Sequence, residues 1–120
     1  KVVICGSLRY AEKETSDSTA AKLASYLGAE FINITNVPGL YTADPKLNKK
    51  AKLINYESWK VFEKRANKLK FHPGQHFVLD QKAAVRIHKR KIKTYIIGKN
   101  LVELNKLLNR KKFKGTTIGP

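Results

Sequence analysis

Thr35-Asn36-Val37-Pro38-Gly39-Leu40-Tyr41-Thr42-Ala43-Asp44-Pro45 follows a short β-type run, Glu30 to Ile34, and packs turn chemistry together with functional side chains into eleven positions. Pro38-Gly39 fits a type II turn, in which proline pre-sets φ and glycine accepts a positive one. Leu40 and Tyr41 are then turned back toward the strand end. Loops at the carboxyl ends of strands in an open α/β sheet are where ligands usually sit. Upstream, Thr15-Ser16-Asp17-Ser18 offers several helix N-caps before Ala20, Leu23, Ala24 and Leu27 mark one face, and Gly28 closes that helix. Val2 to Cys5 is continuously apolar and reads as a buried strand ended by Gly6-Ser7.

The string T-N-V-P-G-L-Y-T-A-D-P resembles the nucleotide-binding loop of UMP kinases, archaeal type, in the amino acid kinase family. The resemblance implies an α/β chain of the three-layer α/β/α (carbamate kinase-like) kind, and it matches only the carboxyl-terminal half of such a kinase. By that resemblance Thr35, Asn36, Tyr41 and Asp44 contact ATP. Thr15 and Ser16 face the acceptor, UMP, and Asp17 is the catalytic organiser of lysines around the transferring phosphoryl group. The stretch Leu8 to Glu14 lacks the glycines that UMP kinases often place there. His76 to Ala84 resembles the family's second block, in which Asp80 favours nucleoside monophosphate kinases; on residue chemistry alone Asp80 is a cap for a helix carrying Ala83, Ala84 and Ile87.

Length suits one domain over residues 1–120, and no internal repeat or low-complexity tract is visible. The single cysteine, Cys5, excludes an intramolecular disulfide and fits a cytoplasmic location. No apolar run approaches the roughly 20 residues that cross a bilayer, so no membrane partner is expected. The chain has no methionine and opens with Lys1 directly before the apolar run, which reads as part of a longer or split protein whose amino-terminal half lies elsewhere. The resemblance places the first catalytic lysine in that half, so this chain alone is expected to be catalytically incompetent. It also implies assembly as a homo-oligomer, a hexamer in the family.

Net charge is +16, from 25 basic and 9 acidic residues, which predicts attraction to polyanions. No zinc pattern, RNP-like aromatic string or recognition-helix pair accompanies it, so RNA binding stays an alternative, as does a non-catalytic nucleotide-sensing module. His72 and His76 stand four apart, but Pro73-Gly74 between them breaks helical geometry. No protein-bound metal is assigned, and Mg²⁺ would arrive with ATP.

The remainder reads as scaffold. Lys52 to Ile54 suggests a short edge strand, and Asn55 or Ser58 a cap for a helix with Trp59, Phe62, Ala66 and Leu69 inward and Lys60, Lys64, Arg65 and Lys68 in water. Phe71 to Gln75 breaks that helix. Ile92 to Ile97 is a strand ended by Gly98. Asn100 with Glu103 suggests a capping box opening a helix with Leu101, Leu104 and Leu108 inward, and Thr116 to Ile118 a terminal strand.

Overall fold

The computed structural model describes residues 2–6, 15–68 and 79–120. Leu8 to Glu14, Leu69, the break at Phe71 to Gln75, and His72 and His76 lie outside the described residues. In chain order the elements are α1 (Ser16–Leu27), β1 (Phe31–Thr35), β2 (Tyr56–Ser58), α2 (Trp59–Lys68), α3 (Gln81–Arg90), β3 (Thr94–Gly98), α4 (Leu101–Leu108) and β4 (Gly115–Gly119). The four strands form one sheet in the order β1-β3-β4-β2. β1 runs parallel to β3, with Phe31 opposite Thr94 and Thr35 opposite Gly98. β4 is antiparallel to β3 and parallel to β2.

Alternation along β3 divides the core into two layers. Ile96 joins Phe31, Ile118, Phe62, Ala83, Ala84 and Ile87 on the face covered by α1, α2 and α3. Tyr95 and Ile97 point the other way, onto Leu107 and Leu104 of α4 and onto Phe113. This is the three-layer α/β/α arrangement expected from the sequence. Ile96, Ile97 and Ile118 are fully buried, and each contributes roughly 2–3 kcal/mol through apolar area removed from water.

Several local expectations change. Residues 2–6 carry no strand and are exposed, Val2 at 92% and Ile4 at 94%. An apolar run becomes a strand only where a ladder accepts it, and none of the sheet's registers includes these residues. On α1 the buried positions are Ser18, Ala21 and Ala24, while Leu27 is 64% exposed. The helix turns its small residues toward α3, where Arg86 Nη1 donates to the carbonyl of Ser18 at 3.0 Å. Lys52 to Ile54 contributes only an isolated antiparallel bridge, Leu53 to Tyr41.

The short strand β2 arises instead at Tyr56–Ser58, and its Glu57 is buried because Arg65 of α2 grips it at 2.6 and 3.0 Å. Arg65 is thus a partner of Glu57 and not a solvated lysine-like charge. Ser58 Oγ accepts from Val61 N–H at 3.4 Å at the start of α2. On α4, Leu104 and Leu107 face the sheet, and Leu101 is 81% exposed. Asn100 caps the helix, but Glu103 does not close a box; its carboxylate takes Lys106 Nζ at 2.7 Å and Lys114 N–H at 2.5 Å.

Candidate functional site

Three-residue links, 28–30 and 91–93, join α1 to β1 and α3 to β3. Such short connections reverse the chain, so the amino ends of α1 and α3 lie at the same edge of the sandwich as the carboxyl ends of β1 and β3. That edge therefore collects Thr15, Ser16, Asp17, Thr35, Asn36 and Asp80. Helix amino ends also bring unpaired N–H groups and the positive pole of the helix dipole, a setting suited to phosphate.

Asp80 ties two of these ends together. Its Oδ1 accepts Ala83 N–H at 2.7 Å as the N-cap of α3, and its Oδ2 accepts the Thr15 hydroxyl. Thr15 Oγ1 in turn accepts Ser18 N–H at 3.3 Å as the N-cap of α1. Asp80 therefore caps α3 as expected and also positions Thr15, a role that its sequence context does not reveal. Asp17 is partly buried in the first turn of α1, and burial together with the negative charge of Asp80 pushes its carboxyl above the ordinary aspartate range. Ser16 is exposed beside it.

The loop after β1 crosses the sheet end. Pro38 sits over Gly98 of β3, where a Cβ on Gly98 would meet Pro38 Cα at 3.3 Å. Leu40 N–H then donates to the buried hydroxyl of Thr116 in β4 at 2.8 Å, and that hydroxyl donates to Ile54 C=O at 2.6 Å. Ile54 N–H returns to Leu40 C=O at 2.8 Å. Gly39 does not have a positive φ, so Pro38-Gly39 is not a type II turn. Glycine is needed for closeness, since a Cβ there would lie 2.6 Å from Thr116 Oγ1 and 3.0 Å from Thr116 N.

The crossing separates the four expected ATP contacts into two pairs. Thr35 ends β1 opposite Gly98, with Asn36 exposed after it. Tyr41 and Asp44 follow the contact of Leu40 with β4, which is the second strand from β1 in the sheet. Tyr41 is partly buried and bridged to Leu53, and Asp44 is exposed with Oδ1 accepting Lys46 N–H at 2.8 Å. Thr42 fastens the far side, its Oγ1 accepting Lys52 N–H at 3.0 Å. Among the described residues no three His, Cys, Asp or Glu side chains gather as a metal site, and no helix is long and apolar enough to cross a membrane.

The profile described as the amino acid kinase family matches residues 1–98. The chain belongs to the amino acid kinase family. Within it, this chain is 40% identical over 108 residues to a uridylate kinase of Pyrococcus abyssi, which covers 88% of this chain and 48% of that protein. It is 32% identical over 121 residues to a uridylate kinase of Methanococcus aeolicus, covering 52% of the relative. The crystal structure of uridylate kinase from Archaeoglobus fulgidus superposes with a TM-score of 0.75 at 36% identity, over 88% of this chain and 47% of that one. The chain thus spans about half the length of the amino acid kinase family relatives that it matches.

Proposed function

We propose that this chain is the ATP-binding half of a UMP kinase, which transfers the γ-phosphoryl group of ATP to UMP and yields UDP and ADP. The observation that carries the reading is the convergence of the 35–45 loop and the capped starts of α1 and α3 on one edge, in a chain 40% identical to a uridylate kinase. In this reading Thr35 and Asn36 hold ATP from the β1 side, and Tyr41 and Asp44 from the β4 side. In this reading the purine and its ribose lie across the end of β3, between the two pairs.

Thr15 and Ser16 meet the acceptor. Asp17 is a poor direct contact for phosphate and a suitable holder of a lysine ammonium, because its carboxyl is partly buried and already crowded by Asp80. A cation from the amino-terminal half would relieve that crowding and bring the positive charge that the developing oxyanions require. Mg²⁺ entering with ATP supplies further charge neutralisation at the β- and γ-phosphates. The starts of α1 and α3 add backbone N–H groups at the same edge.

Phosphoryl transfer from ATP to UMP, followed as UDP formation, tests the reading on the chain alone and on the chain joined by the amino-terminal half. UDP is expected only when both halves are present. If both halves are present and ATP is bound, an absence of UDP would remove UMP as the acceptor.

A further inference from the structure

The edge opposite the candidate site, at the amino ends of β1 and β3, gathers basic side chains from all three layers. Phe31 N–H donates to Lys93 C=O at 2.9 Å, so the 91–93 link lies against the start of β1. β4 and β2 finish at this edge, since Ile118 pairs with Thr94 and Gly119 with Ser58. Helix α2 begins there too. Its Trp59 Nε1 donates to Ile92 C=O at 2.9 Å, which sets the neighbouring Lys60 near the end of α3. From the α4 face, Arg110 Nη1 reaches Glu30 Oε1 at 3.1 Å just before β1, with Lys111 next in the chain. Lys60, Arg90, Lys91, Lys93, Arg110 and Lys111 are all exposed.

The described carboxylates near these six are Glu30, Glu57 and Glu63, and two of them are held by other groups, Glu57 by Arg65 and Glu63 by His88. Glu30 is shared between Arg110 and Lys93, the latter at 3.9 Å. The Lys91 ammonium stands 5.2 Å from the centre of the Trp59 ring, a contact that aims its charge without cancelling it. The edge therefore keeps a surplus of positive charge, whereas the opposite edge holds Asp17 and Asp80.

Backbone conformation marks two of the six independently of charge. Lys91, with φ of 54°, and Arg110, with φ of 56°, are the non-glycine residues of positive φ among the described residues. Each lies just past a helix end, where α1 uses Gly28 at φ of 61°. A helix dipole favours a cation near the last turn, but it does not ask for one at the left-handed position itself, where a side chain is strained. The fold thus accepts strain at two exposed bases on one edge.

We propose that this edge binds the sugar–phosphate backbone of a single-stranded nucleic acid. The bases do not converge on one point, as a compact anion would require. They form a band from the α2 face, past Lys93 at the start of β3, to Arg110 and Lys111 on the α4 face. A flexible single strand can follow such a band around both faces, while a rigid duplex or a planar lipid surface meets one side of it. Phosphate contacts carry no sequence information, so the surface takes a strand without regard to its bases. None of residues 15–17 or 35–44 belongs to it, and the proposal stands independently of the kinase reading.

The probe is a labelled oligouridylate, titrated into the purified protein by fluorescence anisotropy at several salt concentrations. On a single strand each neutralised phosphate adds about 0.7 to the fall of log affinity with log salt, so six contacts give a slope of about −4. K60Q/R90Q/K111Q removes three exposed charges without touching Glu30 or Trp59, and is expected to bind more weakly with a slope of about −2. K93Q/R110Q moves both quantities in the same direction, which guards against a defect confined to one variant. K46Q/K49Q/K50Q lowers the net charge by the same amount away from this edge and keeps the wild-type slope, as does Tyr41→Ala. An equal loss in K46Q/K49Q/K50Q would show that net charge alone attracts the strand and would overturn the proposal. So would a wild-type slope in K60Q/R90Q/K111Q, a tenfold preference for oligouridylate over oligoadenylate, or tighter binding to duplex or to phosphatidylserine vesicles than to the single strand.

Discussion

Thr116→Val is the substitution that most sharply tests how the loop after β1 is held. Valine keeps the shape and burial of threonine but can neither accept Leu40 N–H, now 2.8 Å from the hydroxyl, nor donate to Ile54 C=O, now at 2.6 Å. A buried polar group left without its partner loses roughly 1–3 kcal/mol, so the two together give a destabilisation of about 3 kcal/mol. That is a large share of the roughly 5–15 kcal/mol by which domains of this kind are stable. Equilibrium urea unfolding, followed through Trp59 fluorescence, measures it directly. Thr116→Ser retains the hydroxyl and is expected to lose no more than about 1 kcal/mol, from the missing methyl group alone. A Thr116→Val protein within about 0.5 kcal/mol of wild type would refute the claim that this hydroxyl fastens the loop to the sheet.

Asp80→Ala removes the N-cap of α3 and the acceptor of the Thr15 hydroxyl, and should lower stability by about 1–2 kcal/mol in the same unfolding experiment, with Asp80→Asn closer to wild type. It should also let the Asp17 carboxyl titrate nearer its ordinary value, visible by NMR. Asp17 has a folded-state pKa above its unfolded value, so the folded protein binds its proton more readily. The penalty for ionising it is fully present above the folded pKa and is relieved as pH falls through it. Asp17→Asn should therefore raise the thermal midpoint more at pH 7 than at pH 3; an equal or larger rise at pH 3 would oppose that reading. Arg65→Ala leaves Glu57 buried without its cation and should lose about 2–3 kcal/mol, the partial exposure of Arg65 softening the effect, while Glu57→Gln combined with Arg65→Met should lose less.

What could be read before folding was what depends on neighbours in sequence. Gly28, with φ of 61°, donates its N–H to carbonyls three and four residues back, and the caps Asp80 and Asn100 accept N–H groups two or three residues on, so their chemistry is legible in the string itself. β3 was legible because Tyr95, Ile96 and Ile97 are buried on both faces and read as one apolar run. β2 was not, because three residues with a glutamate at the centre become a strand only when β4 supplies the ladder and Arg65 neutralises Glu57. The leucines of α4 offered two stripes, and contact with Tyr95 and Ile97 selected Leu104 and Leu107. Gly39 was recognised as necessary for the wrong reason: the hydroxyl of Thr116, 77 positions along the chain, excludes a Cβ there, and no local pattern contains that fact. The same distance in sequence hid the bond between Thr15 and Asp80, which makes one unit of two helix starts.

The central claim is that residues 35–44 bind a nucleotide, with Thr35 and Asn36 on one side of the β3 end and Tyr41 and Asp44 on the other. ATP affinity of the wild-type chain and of Tyr41→Ala, measured by calorimetry at two ionic strengths, tests it most directly. The account predicts that Tyr41→Ala loses roughly tenfold or more in ATP affinity, as expected where an aromatic contact worth about 1.4 kcal/mol or more is removed. ATP affinity equal to wild type in Tyr41→Ala would contradict it.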